Sequence, residues 1–277
     1  MQIAGHAVGT MARPMLIAGP CVIESADLCL TIADHLARLA QRTGVTVVFK
    51  ASFDKANRTA HTSFRGIGQQ AGLAVLERVR SATGLPVLTD VHDAAQVPAV
   101  AQVVDVLQTP AFLARQTDLI VAAAASGRPV NIKKAQFMAG EDMIAVVAKA
   151  RAAAMAAGHD PDRLLVCERG AMFGYHNLVV DMRSLVILRE TACPVVFDAT
   201  HAVQLPGAMG DRSCGARHFV APLAHAAAAV GINALFLETH PDPDQALSDG
   251  PNAVPLDHLD ALVDRVLRIA EAAHGGG

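Results

Sequence analysis

Eight short apolar, β-branched runs, each followed by an alanine- and leucine-rich stretch with helical spacing, constrain this 277-residue chain more than any other feature. They are Met15 to Ala18, Thr46 to Lys50, Pro86 to Val91, Val104 to Gln108, Pro129 to Lys133, Leu164 to Cys167, Pro194 to Asp198 and Ala234 to Glu238. Strand-length runs alternating with helical patterns predict βα units and a parallel sheet. Gly84-Leu85-Pro86, Gly127-Arg128-Pro129 and Cys193-Pro194 mark helix-to-strand returns, because proline ends a helix and is tolerated at a strand's first position. Eight units predict a closed (β/α)8 TIM barrel, a single domain over 1–277 with a frayed glycine tail at 275–277. Barrels of about 250 residues form one domain, so length requires no boundary. The doubly wound open sheet is the alternative, but no Gly-x-Gly-x-x-Gly turn follows the first run.

In such a barrel the catalytic groups gather on the loops after the strands. The run ends carry Cys21, Lys50, Asp90 with His92, Gln108, Asn131 with Lys133, Glu168-Arg169-Gly170, Asp198 with His201, and Glu238 with His240. Cys21, His201, Glu238 and Asp249 could together hold one divalent ion. A thiolate, an imidazole and two carboxylates suit Zn²⁺, Fe²⁺ or Mn²⁺ better than the oxygen-seeking Mg²⁺ or Ca²⁺. Taken singly, each has a plainer reading, such as a buried small hydrophobe for Cys21. His240 and His92 are substitutes for His201.

Lys50, Lys133 and Arg169 form a cationic ring suited to a phosphate ester, which needs several fixed donors. Asn131 and Lys133 share one side of their strand by alternation. The stretch Phe49 to Gly66 is too polar for core and reads as a long loop after the second strand. In it Lys55, Arg58 and Thr59 could grip a second phosphate.

Composition narrows the partners. There is no Trp and one Tyr, and the net charge is −3 with basic and acidic residues interspersed, which argues against nucleic acid. The five cysteines are odd in number and show no Cys-x-x-Cys pair, which fits reduced thiols in a cytosol. No basic cluster precedes an uninterrupted apolar stretch, so a soluble, unexported protein is expected.

Taken together, these residues resemble the 3-deoxy-D-manno-octulosonate 8-phosphate synthase family. The likeness runs through Gly19-Pro20-Cys21, Lys55-Ala56-Asn57-Arg58-Thr59, Thr89 to His92, Arg115 to Asp118, Asn131 to Phe137, Glu168-Arg169-Gly170, Phe173-Gly174-Tyr175, Asp198 to His201, Glu238 to Pro243 and Leu247 to Gly250. The resemblance implies a (β/α)8 barrel, usually a homotetramer, that condenses phosphoenolpyruvate with D-arabinose 5-phosphate in the cytoplasm for lipopolysaccharide synthesis. It implies one divalent metal ion, since Cys21 stands where a metal-independent class has Asn, and no Cys precedes Asp249. Cys21, His201, Glu238 and Asp249 would be its ligands. Lys50, Lys55, Lys133 and Arg169 would hold phosphoenolpyruvate, with Gln108 and Ala111 nearby. Asn57, Arg58, Thr59 and Asp90 would hold the sugar phosphate, with Arg115 reaching across a subunit interface. Lys50, Lys55, Asn57, His201 and Asp249 would take part in catalysis.

Two departures stand out. The loop 207–217 carries Cys214 where the family has glycine, and Thr59 replaces a commoner serine. Rival readings are a 3-deoxy-D-arabino-heptulosonate 7-phosphate synthase using erythrose 4-phosphate, a Schiff-base aldolase built on Lys133, and a non-catalytic barrel that binds a phosphorylated metabolite.

Overall fold

A computed structural model describes residues 1–57, 61–172, 177–205 and 215–276. Eight parallel strands, β1 (Met15–Gly19), β2 (Val47–Lys50), β3 (Val87–Asp90), β4 (Val106–Thr109), β5 (Val130–Lys133), β6 (Leu164–Glu168), β7 (Val195–Asp198) and β8 (Ala234–His240), pair in sequence order. β8 pairs with both β7 and β1, which closes the sheet into a barrel. The helices are α1 (Ala26–Thr43), α2 (Gln69–Thr83), α3 (Val97–Val103), α4 (Thr117–Ala125), α5 (Asp142–Ala156), α6 (Arg183–Leu188), α7 (Val220–Val230) and α8 (Leu259–His274). Each follows the strand of the same number, as the alternation in sequence predicts. Every predicted run lies within two residues of a strand's observed ends.

Local chemistry sets the helix limits. Ser25 caps α1 by accepting from the Leu28 backbone N–H at 3.1 Å, and Gly44 ends it in the left-handed region at φ 67°. α8 turns Leu259, Leu262, Val263, Val266 and Ala270 inward. Its outer face meets α1 through Asp260 with His35 at 2.7 Å and Asp264 with Arg42 at 2.9 Å, so the last helix locks onto the first. Among the described residues no helix is long and apolar enough to cross a membrane.

Two cores result from the two faces of the strands. One lies between barrel and helices; the other fills the barrel with Met15, Ile17, Val48, Leu88, Val106, Leu165, Cys167, Val196, Ala234 and Phe236. A hairpin of Gln2–Ile3 and His6–Ala7, absent from the sequence reading, adds Ile3 to that inner core. Ala4 and Gly5 both take positive φ (47° and 84°), the two-residue turn that matches strand twist. Thr46, just before β2, donates to the Ala7 carbonyl at 3.1 Å, placing the hairpin at the end where strands begin.

Side chains two apart share a face of a strand. Lys50 follows Val48, Asp90 follows Leu88, Gln108 follows Val106, Asp198 follows Val196 and Glu238 follows Phe236. The barrel lining therefore changes from apolar to charged within one layer, at the strands' C-terminal ends. The stretch Phe49 to Gly66 corrects the sequence reading: Phe49, Lys50, Ala51, Ser52 and Phe53 are all buried, and the polar loop starts only at Asp54.

At the end of β1 a Cβ on Gly19 would lie 2.0 Å from the Lys50 carbonyl oxygen. Gly19→Ala is expected to lower unfolding free energy by about 1–3 kcal/mol through overpacking, read from the urea midpoint. An unchanged midpoint would mean that β1 and β2 do not approach this closely.

Candidate active site

The charged layer is organised around three knots of hydrogen bonds. In the first, Lys50 Nζ donates to Glu238 Oε1 at 2.6 Å and to the Cys21 carbonyl at 2.9 Å, spanning from β2 to β8. Lys55 Nζ stands 4.0 Å from the same carboxylate oxygen. The Cys21 thiol donates to Asp249 Oδ2 at 3.2 Å and lies 2.8 Å from the Ser248 hydroxyl. Ligand atoms of Cys21, Glu238 and Asp249 all lie within 4.8 Å of one another. Asp249 occupies the left-handed region at φ 51°, a conformation few non-glycine residues adopt.

In the second knot, Lys133 Nζ donates to Asp198 Oδ2 at 2.5 Å and sits 4.0 Å from the centre of the Phe236 ring. The same Asp198 oxygen lies 2.7 Å from His201 Nδ1. The other imidazole nitrogen, Nε2, is 3.4 Å from Glu238 and 3.6 Å from Asp249. His201 thus flanks the thiol–carboxylate set and links it to Lys133, but stays outside the group whose atoms are all mutually within 4.8 Å. Arg169 donates through Nη2 to the His201 carbonyl at 2.8 Å and to Gln204 Oε1 at 2.6 Å. Its Nε is buried with no protein partner.

The third knot crosses from the β2 end to β5. Ser52 Oγ donates to Asp90, Gln108 Nε2 donates to Asp90 Oδ1 at 2.5 Å, and Asn131 Nδ2 donates to Gln108 Oε1 at 2.8 Å. Ser52 escaped the sequence reading, although its place two residues after Lys50 put it on the same side of the chain. Ser248 escaped it too.

Burial and charge work against each other here. Burial opposes ionisation of Asp198, but the adjacent His201 and Lys133 charges outweigh it and hold the carboxyl well below the usual carboxylate range. Asp90 is likewise held low against burial, by Lys50 and Lys55. Burial would lower the Lys55 ammonium, yet Cys21, Glu238 and Asp90 keep it above its ordinary range. For the Cys21 thiol, burial and the neighbouring Asp249 and Glu238 charges all push upward. Burial lowers Arg169 despite the acids around it.

The thiol–carboxylate group has the chemistry of a cation site. Glu238 Oε2 is buried without a hydrogen-bond partner, and a buried unpaired carboxylate oxygen is costly. A borderline divalent ion would satisfy it and stabilise the thiolate, so the donor set fits such an ion.

Other sequence candidates fall elsewhere. His92 stacks edge-on against Phe53, and His240 Nδ1 accepts from the Asp242 backbone N–H at 3.0 Å, so neither joins the thiol and acids. Ala111 is buried at the turn after β4, whereas Arg115 and Asn57 are exposed. Arg58, Thr59, Phe173, Gly174, Tyr175 and Cys214 lie outside the described residues. Lys55 is held by its loop's base, where its backbone N–H donates to the Arg65 carbonyl at 2.6 Å. Arg65 in turn forks onto Asp54 at 2.9 and 2.6 Å.

A closed parallel barrel with such a mouth defines a TIM-barrel enzyme. The family model described as the DAHP synthetase I family matches residues 2–271, and the chain belongs to that family. A relative from Verminephrobacter eiseniae, named 2-dehydro-3-deoxyphosphooctonate aldolase, is 58% identical over 269 residues, covering 97% of this chain and 94% of its own. Relatives of the same name from Bordetella petrii and Polaromonas naphthalenivorans are each 57% identical over 277 residues, 100% of this chain and 98% and 97% of theirs.

Lys50 and Glu238 are 1% and 0% exposed, so deleting one charge takes from the other its nearest buried partner. Lys50→Met is expected to cost about 3–5 kcal/mol in denaturant unfolding of chelator-treated protein. A loss below about 1 kcal/mol, the scale of exposed pairs, would show that this pair is solvated.

Proposed function

We propose that this chain condenses phosphoenolpyruvate with D-arabinose 5-phosphate and water, giving 3-deoxy-D-manno-octulosonate 8-phosphate and inorganic phosphate. The observation that carries this reading is identity of 57–58%, over nearly the whole chain, to relatives named for the octonate. The mouth of the barrel supports it with two sets of cations, Lys50 with Lys55 and Lys133 with Arg169, each near buried acids.

In this reading Lys133 and Arg169 receive the phosphate of phosphoenolpyruvate, with the unpaired Arg169 Nε as a ready donor. Lys50 and Lys55 meet its remaining negative charge, with Gln108 and Ala111 lining that side. Asn57, Arg58, Thr59 and Asp90 hold the sugar phosphate, and Arg115 serves the site of a neighbouring copy in a homotetramer. C3 of phosphoenolpyruvate attacks the aldehyde of the open-chain sugar. Water adds at C2, and phosphate then leaves with cleavage of its C–O bond. In this reading Lys50, Lys55, Asn57, His201 and Asp249 take part in catalysis. The fixed dipoles and charges there need no rearrangement as charge develops.

Cys21, His201, Glu238 and Asp249 would hold a divalent ion, placing the chain in a metal-dependent class. When bound, such an ion supplies Lewis acidity toward an oxygen of the reacting groups. In this reading the product serves lipopolysaccharide synthesis and the enzyme works in the cytoplasm.

The rivals fit less well. A Schiff-base nucleophile must be a free amine, whereas Asp198 outweighs burial and raises Lys133 above its ordinary range. The family's label names the heptulosonate reaction, but Lys55-Ala56-Asn57-Arg58-Thr59 differs from the Lys-Pro-Arg-Thr-Ser of that enzyme, and the relatives carry the octonate name. A sensor has no need for two anion sites beside a metal site.

Phosphate release assayed with each aldose phosphate tests the choice. Turnover with arabinose 5-phosphate and little with erythrose 4-phosphate is expected; exclusive use of the four-carbon sugar would reverse it.

A further inference from the structure

Directly behind Lys133 and Arg169 lies a third buried ion pair, one that the mechanism does not use. Lys134 and Glu168 are each 1% exposed. Their charged atoms, Nζ and Oε1, lie 3.5 Å apart. Alternation along β5 sends Lys133 into the barrel and Lys134 to the opposite face, so the two lysines point in opposite directions from adjacent positions.

The pair is wired to backbone on both sides. Lys134 Nζ donates to the carbonyls of Ala135 at 3.3 Å and Met138 at 3.0 Å, pinning the loop that leaves β5. Glu168 Oε1 accepts from the backbone N–H groups of Arg169 at 3.0 Å and Gly170 at 2.6 Å, pinning the turn that leaves β6. That turn needs Gly170, which takes φ +87°. The two loops are also sewn together, since the Met172 N–H donates to the Gln136 carbonyl at 2.9 Å and the Lys134 N–H to the Cys167 carbonyl at 2.8 Å.

We propose that Lys134 and Glu168 are positioning residues that hold Lys133 and Arg169 in register to receive one phosphate. Burying two charges costs several kcal/mol per ion, and a well-packed apolar pair would serve stability as well or better. An ionic pair here gives direction instead: it fixes where two loops leave their strands, one residue beyond Lys133 and one before Arg169. The anion is a phosphate monoester or inorganic phosphate. This inference rests on the assignment of Lys133 and Arg169 to the phosphate of phosphoenolpyruvate.

The test uses the full-length enzyme and two variants, Glu168→Gln and Lys134→Met, each keeping most of the side-chain volume. Binding of inorganic phosphate is measured by calorimetry, and KM for each substrate by steady-state kinetics. Small misplacements of binding groups cost up to about a hundredfold. A rise of about tenfold or more in the phosphate Kd and in KM for phosphoenolpyruvate is expected, with KM for the aldose phosphate little changed. A folded variant with unchanged phosphate affinity, or with equal losses for both substrates, would overturn the positioning role. If one variant does not fold, the other supplies the same readout. Failure of the wild-type enzyme to bind phosphate at all would instead overturn the assignment of Lys133 and Arg169, and this inference with it.

Discussion

Charge taken out of water must be paired where it is buried, and the barrel's mouth is shaped by that requirement. Lys50 and Glu238, 1% and 0% exposed, bridge strands that a closed sheet brings to either side of β1. Without closure this contact between β2 and β8 would be lost, and the two charges would have only weaker partners on neighbouring strands. The apolar layer below keeps water from the pair, because Val48 and Phe236 precede the two charges on the same faces of their strands. An open or loosened mouth would replace these contacts with solvation and remove the field of Lys50 and Lys55 that holds the Asp90 carboxyl below its usual range.

The same pairing leaves specific valences unfilled. Asp198 fixes Lys133 and His201 together, while Arg169 spends one guanidinium nitrogen on His201 and Gln204 and keeps Nε unpaired. Glu238 spends one oxygen on Lys50 and keeps the other unpaired. One orphan is a donor suited to an anion, and the other is an acceptor suited to a cation. Both are preorganised on strand ends or the turns directly after them, so little reorganisation accompanies ligand arrival.

Most of the fold was legible because strand signals here are local. Apolar β-branched runs marked all eight strands, three of them with a Gly-x-Pro or Cys-Pro return in front, and their number implied closure. The terminal hairpin was not legible, since Gln2–Ile3 and His6–Ala7 are too short for periodicity and gain their strand character by plugging the barrel. Run ends also pointed to the mouth residues Lys50, Asp90, Gln108, Lys133 and Glu238, because alternation assigns a face once a strand is known. Which of them touch was not legible: Lys50 and Glu238 lie far apart in sequence, as do Cys21 and Asp249, and only closure joins them. Lys134 read as an ordinary neighbour of Lys133, and Glu168 was counted with the polar groups of the mouth, although alternation puts it on the helix side with Leu164 and Val166.

In the proposed site the thiol and acids meet to hold one divalent ion beside a cationic pocket. Metal content and activity, measured before and after chelation in the wild-type enzyme and in Cys21→Asn, test it most directly. Activity that falls with chelation and returns with metal, together with loss of bound metal in the variant, is the expected result. Full metal content and undiminished chelator sensitivity in Cys21→Asn would contradict it.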